Sequence, residues 1–144
     1  MHVPPLFLLS TEGRLEAAAV SARHEVGRRG EQLVAEQLTK AGYKVLERNY
    51  RCALGELDLV AEKEGEVVFV EVRTKRQPCM FRPEESITRE KALRLARLAE
   101  YYMARTDRGD CPWRIDVVAV ELASDGSMAR LEHFADATSG VEME

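Results

Sequence analysis

Three β-rich apolar runs, Tyr43 to Tyr50, Glu56 to Ala61 and Val67 to Arg73, follow one another with only short connections between them. That spacing suits a hairpin or meander, and Glu64-Gly65 supplies turn residues for the second connection. A polar loop carrying Pro78 and Pro83 comes next. From Arg89 to about Arg105, Ala92, Leu95, Ala96, Ala99, Tyr102 and Met103 fall on one side of a helix, with Thr88 placed as its N-cap. Trp113 to Leu122 then reads as a buried strand. The intervening helix supplies the crossover length that parallel neighbours need, so the third and fourth strands are expected to pair in parallel. Ala123 to Phe134 holds a turn and a further short strand.

Upstream, Val34, Ala35, Leu38 and Ala41 recur at helical spacing in a segment from about Arg23 to Ala41, which Gly42 closes. The expected fold class is therefore α/β, a central mixed β-sheet flanked by helices. Residues 1–22 read as a poorly ordered N-terminal extension or a helical lead-in, residues 23–136 as one domain, and residues 137–144 as a C-terminal tail. A length of 144 residues suffices for one core, and 45% hydrophobic with 32% charged residues is the composition of a soluble globular protein. Val3 to Leu9 is too short and too proline-broken to span a bilayer, and no Lys or Arg precedes it as in a signal peptide. These features predict a cytoplasmic protein with no membrane partner. Cys52, Cys79 and Cys111 form no Cys-x-x-Cys pair and are expected to be reduced thiols. Trp113 is expected in the core, and His2, His24 and His133 are too scattered to suggest a metal site.

A net charge of -4 argues against a phosphate-bearing partner only on average. Arg73 to Arg114 carries eleven basic residues against six acidic ones, whereas Ile115 to Glu144 carries one against seven. Segregation of this kind is what a polar binding surface produces. Lys91, Arg94 and Arg97 recur every three residues along the second helix, with Arg105 further on, opposite much of its apolar stripe. They form a candidate phosphate surface or an ordinary solvated face.

Acids interrupt the apolar strands. Asp58 lies within Gly55-Glu56-Leu57-Asp58-Leu59-Val60, and Glu71 within Val67-Val68-Phe69-Val70-Glu71-Val72-Arg73. An unpaired buried charge is expensive, so something must offset it. Alternation along a strand places Glu71, Arg73 and Lys75 on one face, and adjacent strands in suitable register let Asp58 and Glu71 converge. Two readings follow: a hard divalent cation such as Mg²⁺ between the carboxylates, or ion pairs to Arg73 or Arg114. Glu31, on the inward stripe of the first helix, is either a third acid of that site or a first-turn glutamate favoured by the helix dipole.

Gly30-Glu31, Arg48-Asn49-Tyr50-Arg51, Gly55 to Val60, Phe69 to Arg73, Pro83-Glu84-Glu85-Ser86-Ile87, Lys91 and Arg114 to Val120 stand in the order seen in the small bacterial YraN-type family. That family resembles the Holliday-junction resolvases of the PD-(D/E)xK nucleases, over roughly His24 to Leu122. The resemblance implies a restriction-endonuclease-like fold and a nucleic-acid-binding, metal-dependent endonuclease. Such an enzyme acts on DNA, branched DNA included, by phosphodiester hydrolysis with Mg²⁺ or Mn²⁺. Asp58 and Glu71 then look like the metal-binding acids, the Val72 carbonyl a further ligand, and Glu31 the helix-borne acid of the resolvase branch. Asn49, Arg51 and Arg76, with Lys91, Arg94 and Arg97, are the expected contacts to nucleic acid. A resolvase-like mode favours a twofold homodimer.

One position departs from the superfamily pattern. Arg73 stands where a lysine is usual two residues after the acid, and arginine stays protonated, so it orients or stabilises charge and does not act as a base. Lys75, two positions farther along the same face, is the candidate substitute. The alternative is a non-catalytic nucleic-acid-binding module with a degenerate nuclease site.

Overall fold

The computed structural model describes residues 10–138. Within them the order is α1 (Thr11–Lys40), β1 (Lys44–Cys52), β2 (Gly55–Lys63), β3 (Glu66–Arg76), a single 3-10 turn at Pro83–Ser86, α2 (Arg89–Arg105), β4 (Trp113–Leu122) and β5 (Met128–Phe134). The five strands form one sheet in the order β1-β2-β3-β4-β5. β1, β2 and β3 pair antiparallel, β3 and β4 parallel, and β4 and β5 antiparallel. This is the mixed sheet flanked by two helices of the restriction-endonuclease-like fold, with α2 as the parallel crossover. The β2–β3 turn has Glu64 at φ 53 and Gly65 at φ 79, the two left-handed residues that a two-residue hairpin turn demands.

α1 begins at Thr11, so over residues 11–22 the lead-in is helical and runs without a break into the helix expected from about Arg23. Ser10 caps it, its hydroxyl accepting from the Gly13 N–H at 3.0 Å. Its buried residues are Gly30, Val34, Ala35 and Leu38, all in the second half. The alanine-rich first half rests on intrinsic propensity and its cap, which leave no apolar stripe to read. Residues 1–9 of the expected extension, and 139–144 of the expected tail, lie outside the described residues. Among the described residues no helix is long and apolar enough to cross a membrane.

Each face of the sheet carries its own core. Val34 and Leu38 of α1 pack on Leu59, Val68, Val70, Val118 and Val120. On the other face Leu95, Leu98 and Tyr102 of α2 pack on Val60, Val67, Phe69 and Ile115. The ring of Phe69 meets Tyr102 edge-on at 5.6 Å and Trp113 at 5.8 Å, so Trp113 belongs to this packing. Gly30 explains how closely α1 approaches the sheet: a Cβ there would lie 1.8 Å from the Thr74 hydroxyl oxygen. A residue that weakens a helix interior is tolerated because only hydrogen fits between α1 and β3.

Candidate metal and nucleic-acid site

The alternation of β3 decides where its charges go. Val68, Val70 and Val72 enter the α1-side core and Val67 and Phe69 the α2-side core, so Glu71 and Arg73 face α2. The β2–β3 ladder runs from Lys63↔Glu66 to Leu59↔Val70, and one step further along the same register Asp58 comes opposite Glu71. There the ladder stops. The Val72 N–H donates to Asp58 Oδ2 at 2.9 Å, so a carboxylate takes the place of a strand carbonyl where β2 and β3 part. The N–H and C=O of one strand residue point the same way, which turns the Val72 carbonyl to this side as well. On the opposite flank of β2, the register that pairs Arg48 with Leu59 and Tyr50 with Leu57 brings Asn49 across from Asp58. Asn49, Asp58 and Glu71 therefore form one row across three strands. Asn49 holds φ 52, a left-handed conformation that asparagine accepts more readily than most residues.

The electrostatics of the row follow from crowding acids together. Burial first, then the neighbouring Asp58 charge, push the Glu71 carboxyl from 4.5 up to about 8, against the opposing pull of Arg73 and Lys91. Burial also raises Asp58, despite the Val72 N–H and the Arg73 charge. Glu31 is raised as well, by burial and by Asp58, while the Asn49 side chain hydrogen-bonds to it and lowers it. The Asp58 and Glu71 carboxyls lie within side-chain hydrogen-bonding reach of each other, and their mutual repulsion favours a proton on Glu71. A donor set of two touching carboxylates and a turned-out carbonyl suits a hard divalent cation, which needs only one or two carboxylates and completes its shell with water and phosphate. Among the described residues no three His, Cys, Asp or Glu side chains converge closely enough to form a cage unaided. Glu31 is thus in electrostatic reach of the pair without joining it.

A cleft of about 360 Å³ opens beside Glu71, walled by Leu54, Gly55, Glu56 and Arg73 on the sheet side and by Lys91, Arg94, Leu95 and Leu98 of α2. Arg73 Nε stands 3.6 Å from Glu71 Oε1 and has no hydrogen-bond partner although it is buried. Lys91 donates to the Ser86 carbonyl at 3.3 Å, and its charge reaches Glu71. Lys75 is elsewhere: its ammonium donates to the Phe81 carbonyl at 3.4 Å, away from the residues lining the cleft. Arg97 and Arg51 are exposed outside the cleft, Arg51 beside Glu56 at 3.5 Å. Arg76 borders a separate surface hollow with Arg29 and Asp125. The structure thus brings together Asp58, Glu71, Arg73, Lys91 and Arg94, with Glu31 and Asn49 behind them.

Arg114, weighed from sequence as a partner of Asp58 or Glu71, serves another acid. Asp116 is fully buried and accepts from Arg114 Nε at 2.9 Å, His133 Nε2 at 2.7 Å and the Asp136 N–H at 2.8 Å. Arg114 also pairs with Glu66 and donates to the Tyr43 hydroxyl at 3.2 Å. A second knot sets Arg130 against Glu84 at 2.7 Å and Glu121 at 2.9 Å, tying the Pro83 turn to β4 and β5. Sequence reasoning missed both, and set His133 aside. The one available signal was Asp116 within an apolar strand, the same signal that marked Asp58 and Glu71.

The family described as "Uncharacterised protein family UPF0102" matches residues 30–120. The chain belongs to this family. It is the YraN-type family that the motifs resemble, and the match spans the site row from Gly30-Glu31 through Glu71 to β4. A UPF0102 protein of Symbiobacterium thermophilum is 48% identical over 103 residues, 72% of this chain and 87% of its own length. Another from Moorella thermoacetica is 44% identical over 110 residues, covering 76% and 92%. One from Pelobacter propionicus is 37% identical over 131 residues, covering 88% and 93%.

Proposed function

We propose that this UPF0102 protein is a metal-dependent endonuclease that binds DNA and hydrolyses phosphodiester bonds, with Mg²⁺ or Mn²⁺ held by Asp58 and Glu71. The observation that carries the reading is the pair of buried carboxylates in contact where β2 and β3 part, opening on a cleft whose other charges are Glu56 and the cations Arg73, Lys91 and Arg94. Buried acids that repel each other are costly to a fold, and a cation that restores both charges gives them a use.

Asp58 and Glu71 would hold the ion, with the Val72 carbonyl as a further ligand and Glu31 acting through the field it adds at Asp58. A bound divalent cation supplies a polarised phosphate and a water of lowered pKa. Arg73, on the cleft wall, offers its guanidinium charge to negative charge developing on phosphate and, being permanently protonated, takes no proton. Lys91 fits the lysine role better than Lys75, because its charge reaches Glu71 and its side chain lines the cleft. Arg94 on the same wall positions backbone phosphate without reading sequence.

The test is incubation of the purified protein with branched, single-stranded and duplex DNA in Mg²⁺ or Mn²⁺. Cleavage that falls at least about a hundredfold in Glu71→Ala is expected, on the scale of losing a group that stabilises transition-state charge. No cleavage with either metal, or cleavage indifferent to Glu71→Ala, overturns the enzymatic reading.

One observation favours a second reading. The 3.6 Å approach of Arg73 to Glu71 is an internal ion pair of the kind expected in a nucleic-acid-binding module whose nuclease site has decayed. That module binds DNA with strong salt dependence and cuts nothing.

A further inference from the structure

The loop between β3 and α2 carries two apolar side chains where burial would have been expected. Met80 is 90% exposed and Phe81 61% exposed, side by side at its tip. Single exposed apolar residues are ordinary, but here the backbone is pinned on both sides of the pair. The Gln77 N–H donates to the Leu122 carbonyl at 2.7 Å, and Cys79 turns inward to Glu121 at 3.5 Å. After the tip, the Arg82 N–H donates to Glu85 Oε2 at 2.9 Å and Pro83 is buried. The anchors hold Met80 and Phe81 outward.

Three basic side chains flank the tip. Lys75 Nζ lies 5.9 Å from the centre of the Phe81 ring, and Arg76 and Arg82 are both exposed beside the loop. Of the nearest acids, Glu84 and Glu121 turn inward to share Arg130, and Glu85 is exposed, accepting from the Arg82 N–H. An aromatic ring and a thioether held out among cations match unstacked bases flanked by phosphates. Phe and Met are side chains that insert between base steps, and aromatic faces stack on exposed bases. Lys75 shares the β3 face of Glu71 four residues on, about 13 Å along the strand at about 3.3 Å per residue. The tip and the acidic pair therefore lie along one face, close enough for one DNA strand to reach both.

We propose that Met80 and Phe81 form a wedge that engages unstacked bases at the branch point of a DNA junction; this rests on the nucleic-acid reading above. The test uses a four-way junction and a linear duplex of equal length, each with 2-aminopurine at the central position, titrated with full-length protein in EDTA so that no cleavage intervenes. The wild-type protein is expected to change 2-aminopurine emission in the junction. The Met80→Ala/Phe81→Ala variant is expected to bind the junction about tenfold more weakly, the scale of losing one stacked base, with duplex affinity within about twofold. Phe81→Trp should keep junction affinity, its emission quenched on binding. Unchanged junction affinity in the double variant overturns the wedge, as does equal loss on junction and duplex. So does a wild-type dimer in sedimentation that the double variant dissociates, which would make the tip a self-association surface. A wild-type protein that binds neither DNA overturns the nucleic-acid reading itself, and the wedge with it.

Discussion

Glu71→Gln is expected to make the metal-free protein more stable at alkaline pH, although it removes a buried charged group. Glu71 carries its proton up to about pH 8 in the folded state, against an ordinary value of 4.5. The native state thus binds more protons than the unfolded chain between those values, and stability must fall as pH rises through that window. Below about 4.5 both states hold the proton and nothing is lost. Above about 8 the ionised group sits beside Asp58 in a largely buried place and the cost is complete, on the order of a few kcal/mol at about 1.4 kcal/mol for each unit of displacement. Glutamine keeps the shape without the charge. Thermal unfolding in EDTA should show the variant melting about 10 °C above the wild type at pH 9. The two should melt nearly together at pH 4. A variant that melts at or below the wild type at pH 9 would mean that Glu71 is satisfied by Arg73 and carries no strain.

Asp116→Ala should do the opposite and destabilise strongly at neutral pH. Burial works against the Asp116 charge, but His133, Arg114 and the Asp136 N–H outweigh it and hold the carboxyl below its ordinary value of 3.8. The contribution is complete above that value and fades in more acidic solution. Removing the carboxylate strands the Arg114 guanidinium, the His133 ring and a backbone N–H together. Breaking a buried pair in this way costs about 3–5 kcal/mol. Denaturant unfolding at pH 7 is the measurement, and a loss under about 1 kcal/mol would show that Glu66 and Tyr43 alone satisfy Arg114. The two acids differ in solvation by the protein: cations and N–H groups surround Asp116, whereas Glu71 faces the Asp58 carboxylate as well as Arg73.

That difference explains what the sequence could and could not reveal. Glu64-Gly65, the Thr88 cap and the α2 stripe are local signals, and local backbone physics carried them into the structure as the β2–β3 hairpin and the helix Arg89–Arg105. The parallel β3–β4 pairing followed from crossover length. The start of α1 did not, because a helix half that packs against little leaves no periodicity to detect. Asp58 and Glu71 were legible as acids in apolar strands, yet Asp116 carries the same mark. Only its partners distinguish it: Arg114 stands two residues before it on β4, but His133 and the Asp136 N–H come from β5 and the segment after it, beyond the reach of spacing rules. Which lysine borders the cleft was not legible for a similar reason. Lys75 shares the strand face of Glu71 by alternation, whereas Lys91 reaches the cleft through the docking of α2, a tertiary fact.

Calorimetric titration with Mn²⁺ at pH 7, repeated in two buffers of different ionisation enthalpy, tests the central claim most directly. Because Glu71 is still protonated at that pH, binding at the Asp58 and Glu71 pair should be saturable at one ion per chain and release about one proton. Asp58→Ala should abolish it. No binding, or binding that Asp58→Ala leaves intact, would contradict the metal site.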